Sequence, residues 1–168
     1  MSGASARPVE GVRPRLGRVL CALPVVAVLA LLAAGTARAA ELAMVRSVQP
    51  FPETMLTLQQ AIRAHGYVIT RVQRVDVGLT RMGYKTDLYR VVFYGKPDEI
   101  RRLAQRYPDL IPYLPLKLSV FAEGGETLVV GVRPLALWSF FDHPELFDLF
   151  ARWDRDLQSI LDEVREAR

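Results

Sequence analysis

The chain has 168 residues, with 22 Lys and Arg against 18 Asp and Glu, a formal net charge of +4, one Cys and two His. Such an excess would suit a nucleic acid or an anionic membrane surface, but it is confined to the N-terminus. Residues 1–39 hold five of the arginines and only one acidic residue, Glu10, so the remainder carries 17 basic and 17 acidic side chains. Phosphate-driven affinity needs a surplus of Lys and Arg, so no nucleic-acid partner is expected. Cys21 lies within that same N-terminal stretch, which leaves the remainder without a disulfide, a thiol nucleophile or a thiolate metal site.

Residues 1–39 read as a cleavable secretory signal peptide. Arg13, Arg15 and Arg18 form a basic region, residues 19–34 are uncharged and apolar, and Ala37-Arg38-Ala39 is an A-x-A cleavage site. Cys21 follows Val19 and Leu20 and lacks the small upstream residue of a lipoprotein signal. The expected location is therefore periplasmic or secreted. The competing reading is an uncleaved membrane anchor, since the uncharged run almost reaches the roughly 20 residues of a bilayer crossing. Pro24 and the Gly35-Thr36-Ala37 end favour cleavage. Membrane association is expected only if the segment is retained.

The 129 residues from Ala40 onward are enough for one domain with its own core and too few for two of ordinary size. Residues 43–48 form a strand candidate. Phe51-Pro52-Glu53-Thr54 then opens a helix, with Pro52 suited to the first turn and Glu53 to the positive end of the dipole. Met55, Leu58 and Ile62 fall at helical spacing, and His65-Gly66 ends the segment with a glycine able to adopt a left-handed C-cap. Residues 67–77, rich in Val, Ile and Thr, read as a second strand, and residues 78–88 as a loop without period.

Residues 89–94 are a third strand. Gly95-Lys96-Pro97 turns into a helix with Asp98 and Glu99 in its first turn, an apolar face of Ile100, Leu103, Ala104 and Tyr107, and a stop at Pro108. Leu116, Leu118 and Val120 alternate with Lys117 and Ser119 in a fourth strand. The tight turn Glu123-Gly124-Gly125-Glu126 returns the chain as a fifth, residues 127–132. A long helix over residues 144–166 follows. The order β-α-β-β-α-β-β-α predicts a two-layer α+β fold, a mostly antiparallel sheet of about five strands with helices on one face. The expected division is a leader over 1–39, the α+β domain over 40–137 and a C-terminal helical part over 138–168.

Taken in order, these segments resemble the domain of unknown function 302 family of small, often exported bacterial proteins. The resemblance rests on Phe51 and Thr54 opening the first helix, Ala61-Ile62 and Gly66 closing it, Phe93-Tyr94-Gly95-Lys96-Pro97, and Leu114-Pro115-Leu116-Lys117 before Glu123 and a glycine turn. It covers residues 45–137. Lys96 replaces the family's usual Asn, and Val75 stands where many members carry a histidine. The resemblance implies a fold and a compartment rather than a reaction.

Candidates for chemistry are few. Asp142-His143-Pro144-Glu145 sets a histidine between two carboxylates, which could orient a general base. The same residues also suit a helix start, with Asp142 or His143 as cap, Pro144 at the first position and Glu145 in the first turn. No serine sits in a nucleophile elbow, and no phosphate-binding loop, dinucleotide fingerprint or metal spacing is present. No cofactor or metal is expected. Gly95 and Lys96, with Arg90 on the preceding strand, are an anion-binding candidate at a helix N-terminus. On the last helix Leu146, Phe150, Trp153, Leu157, Ile160 and Val164 follow the 4-3-4-3-4 spacing of helix-on-helix contact. They serve either as the helix's own packing stripe or as the seam of a homodimer. The expectation is a non-enzymatic exported module that holds a small ligand or a protein partner between sheet and helices. The alternative is a periplasmic enzyme or metal-dependent protein that uses His143.

Overall fold

Inward and outward residues alternate along the strands and sort the sheet into one buried and one open face. The structure is a computed structural model that describes residues 42–141 and 143–168. The leader expected over residues 1–39 lies outside them. Strands β1 (Leu42–Ser47), β2 (Val68–Arg74), β3 (Tyr89–Gly95), β4 (Leu116–Glu123) and β5 (Glu126–Val132) form one sheet in the order β1-β5-β4-β3-β2, every neighbouring pair antiparallel. Ala43 and Val45 of β1, Val92 and Tyr94 of β3, Leu118 and Val120 of β4, and Val129 of β5 point to the buried side. The α+β architecture expected from the sequence is the one found.

Helix α1 (Phe51–Ala64) begins as the residues dictate, with Pro52 in its first turn and Glu53 at the positive end of the dipole. Leu58 and Ile62 are fully buried, and Gly66 takes a φ of 76° just past the C-cap, a conformation open to glycine at little cost. The β4–β5 hairpin closes on Gly124 and Gly125, both at positive φ, as a two-residue turn of matching twist demands. Glu123 and Glu126 face each other across that turn, and Arg46 of β1 bridges both, at 2.5 and 3.6 Å.

Two stretches differ from expectation. Strand β2 stops at Arg74, and Val75–Arg81 forms a short helix, α2, inside the segment read as strand end and loop. Its β-branched and glycine-containing sequence is a poor helix former on its own. Asp76, 8% exposed, is tied to Arg90 of β3, and that tertiary contact holds α2 in place. After α3 (Pro97–Arg106), residues Pro108–Tyr113 wind into a 3-10 helix, and Pro134–Trp138 makes the short helix α4.

The chain ends in a 3-10 turn, Pro144–Leu146, and the 20-residue helix α5 (Phe147–Glu166). α5 packs on α1 and on β1. Leu146, Phe150, Trp153, Leu157, Ile160 and Val164 are all between 0% and 4% exposed. The 4-3-4-3-4 stripe is thus the packing face of α5 on its own domain and has no free surface for a second subunit. The described residues form one compact unit, and of the two arrangements expected for the C-terminal helical part over 138–168 the structure has it packed on the domain. Among the described residues no helix is long and apolar enough to cross a membrane.

Candidate functional site

Between the buried side of the sheet and the segments that cap its end lies a cleft of about 220 Å³. The ends of β3 to β5 contribute Tyr94, Leu116, Lys117 and Val132, the 3-10 helix contributes Pro112 and Tyr113, and α4 contributes Pro134 and Leu137. The lining is mostly apolar, and prolines fix the two segments opposite the sheet. Tyr94 alternates with Val92 on the inward face of β3 and is 2% exposed. Its hydroxyl donates to no group among the described residues. Burial pushes the phenol pKa up, and the nearby Asp156 charge pushes it further in the same direction. Tyr94 therefore stays a neutral hydrogen-bond donor. Next to the cleft residue Leu137, Trp138 Nε1 is buried without a partner among the described residues.

Behind Leu116 the same sheet end is packed with polar groups that satisfy one another. Tyr67 packs edge-to-face on Tyr94 at 5.4 Å and donates its hydroxyl to Asp156 Oδ2 at 2.6 Å. Burial first, and then the bond to Asp156, push the Tyr67 phenol pKa up. Trp153 Nε1 donates to Glu99 Oε1 at 2.9 Å, and Arg152 binds the other oxygen of that carboxylate. Arg152 and Asp156 of α5 thus tie that helix to α3 and to Tyr67. On the opposite flank, buried Asp154 takes both arms of Arg133, whose pKa its carboxylate raises, and so anchors the start of α4 to α5.

The anion-binding candidate is not assembled. Arg90 sits at the start of β3, five residues or about 17 Å from Gly95, paired with Asp76 and stacked over the Phe51 ring at 5.7 Å. Lys96 lies over the Tyr67 ring, its Nζ 4.6 Å from the centroid. Gly95 serves packing: a Cβ there would stand 2.3 Å from Ile100 Cδ1. The space lined by Gly95 and Lys96 has no room for a water molecule. Close approach of α3 to the sheet, rather than an anion, explains the glycine.

The histidine candidate is rearranged. His143 Nε2 pairs with Asp109 at 3.1 Å and its ring packs on Tyr107 at 4.7 Å. Glu145 instead accepts the Tyr107 hydroxyl at 3.0 Å. The bond from its own backbone N–H and then the one from Tyr107 hold its carboxyl below the usual range. Asp142 lies outside the described residues. His143 and Glu145 thus clamp the start of the last helix onto the 3-10 segment and Tyr107. The other histidine, His65, joins α1 to α5 through Glu163 at 2.8 Å. Among the described residues no cluster of His, Cys, Asp and Glu is arranged to hold a metal ion.

Sequence reasoning missed the cleft and the Tyr67, Glu99 and Asp154 pairings. Spacing cannot reveal partners 54 or 89 residues apart. One signal was readable: Tyr94 at an inward strand position places a hydroxyl in the core, where it needs a partner.

The family model "Domain of unknown function DUF302" matches residues 44–164. The chain is also similar to the crystal structure of an uncharacterised conserved DUF302 protein from Bacillus stearothermophilus. The TM-score is 0.68 and the identity 22%, over 74% of this chain and 98% of that one, a likeness of fold. No curated protein matches the chain.

Proposed function

The chain belongs to the DUF302 family, and from that premise we propose that it is an exported, non-enzymatic module that holds a small, mostly apolar molecule in the cleft beside Tyr94. The observation that carries this reading is a preformed apolar cleft of about 220 Å³ with the neutral Tyr94 phenol in its wall. Binding sites have this composition, apolar walls with few polar groups that fix orientation. The volume lies below the roughly 300 Å³ at which drug-sized sites begin, so the ligand is small. The charge felt at the Tyr94 hydroxyl is the negative one of Asp156. Lys117 also lines the cleft, and next to the hydroxyl itself, where Asp156 acts, a neutral acceptor such as a carbonyl or ester oxygen fits better than a carboxylate. Export is supported by the basic, apolar and A-x-A succession over residues 13–39.

Titration with methyl benzoate, with benzoate as the charged comparison, tests the reading by NMR. Saturable shifts at Tyr94, Leu116 and Leu137 are expected for the ester and weaker ones for the anion. Leu116→Trp, which fills the cleft, should abolish them while the fold persists. Shifts that ignore this substitution, or no saturable binding of either compound, would refute it.

A further inference from the structure

The face of the sheet opposite α1 and α5 has an apolar centre with charged residues toward its edges, and no helix of the described residues lies over it. On β1, Leu42 and Met44 are 58% and 57% exposed, whereas Ala43 and Val45 between and beyond them are 6% and 7% exposed. Strand register arranges the open face in rows. Met44, Val130, Ser119, Val91 and Gln73 pair in succession across all five strands and form the middle row. On one side of it Tyr89, Phe121 and Leu128 pair across β3, β4 and β5, with Tyr89 edge-on to Phe121 at 6.0 Å, and the row ends on β1 at Arg46, which Glu123 and Glu126 neutralise. On the other side Arg71, Phe93 and Lys117 pair across β2, β3 and β4. One flanking row is aromatic and apolar apart from the ion-paired Arg46 at its β1 end, and the other carries Arg71 and Lys117.

The geometry points to a second copy of this chain packed face to face on this surface, about a two-fold axis that runs across the strands. The area suits such a pairing. Five strands about 4.8 Å apart, each six to eight residues long at about 3.4 Å per residue, present a flat footprint of about 500 Å². That matches the largest patches of ordinary monomers, which are often functional. Counted on both copies it reaches the roughly 1,000 Å² that a specific interface requires. The row pattern selects the axis. A two-fold along the strands would lay Lys117 on its own copy. A two-fold across them lays Lys117 on the partner's Phe121, a cation on an aromatic ring, and Phe93 on its Tyr89, and lays the uncharged middle row on itself. β4 is the central strand, so Ser119 sits at the middle of the contact in an aligned sheet-on-sheet packing.

The test uses the full chain as the producing cell leaves it, with its N-terminus read by mass spectrometry and its mass in solution by light scattering over a dilution series. A dimer is expected. Val130→Arg should shift it to monomer with an unchanged circular dichroism spectrum, and Ser119→Cys should crosslink to its own copy through a short bis-maleimide. A monomer at every concentration overturns the proposal. So does a dimer that survives Val130→Arg and fails to crosslink at position 119, or one formed only by molecules that retain residues 1–39. Val130 and Ser119 do not line the cleft, so these substitutions read the interface separately from ligand titration.

Discussion

Leu116 separates two neighbouring spaces that solve the same problem in opposite ways. On the Lys96 side, Tyr67, Trp153, Glu99, Arg152 and Asp156 satisfy one another and leave no room for a water molecule. On the Tyr94 side, a tyrosine buried as deeply lines a cleft and makes no side-chain hydrogen bond among the described residues. The two rings touch edge to face, and both phenols are raised above their ordinary pKa by burial. A closed polar network serves stability, whereas an open donor in an apolar wall serves an absent molecule.

That contrast can be broken from the closed side first. Trp153→Ala removes a ring 3% exposed and strips Glu99 of a donor, and should cost about 3–5 kcal/mol in urea unfolding. Tyr67→Phe leaves Asp156 without its closest hydrogen bond and should cost about 1–2 kcal/mol. Tyr94→Phe removes a hydroxyl that bonds nothing, so its cost should stay within about 0.5 kcal/mol while ester binding is lost. If Tyr94→Phe proves as costly as Tyr67→Phe, the two sides do not differ in kind.

A pH series sharpens the same comparison. Both phenols titrate higher folded than unfolded, so their contribution is full below the unfolded value of about 10 and is lost as pH rises beyond it. The double variant Tyr67→Phe, Tyr94→Phe should therefore show a flatter fall in urea midpoint above about pH 10 than the parent chain. An unchanged alkaline limb would place the raised pKa values in doubt.

Much of the fold was legible because its signals are local. Pro52 and Gly66 bracket α1, Gly124-Gly125 marks the hairpin, and the strands alternate. α2 was not legible, because Asp76 holds it through Arg90, fourteen residues on. The α5 stripe was legible as a packing face, but a 4-3-4-3-4 spacing does not say what lies opposite. The candidate site was the least legible. Arg90 and Lys96 looked close in sequence, yet a strand sets them a sheet's length apart, and the cleft draws on three separate strands and two proline-led turns.

The strand order carries a consequence for how the chain folds. The β4–β5 hairpin spans only a two-residue turn, and β3 follows β2 closely, so these pairings close short loops. β1 pairs only with β5, Leu42 meeting Val132 some 90 residues later. Loop-closure entropy makes that the slowest pairing to pay off. During synthesis the first strand must therefore wait, unpaired, until nearly all of the sheet has been made.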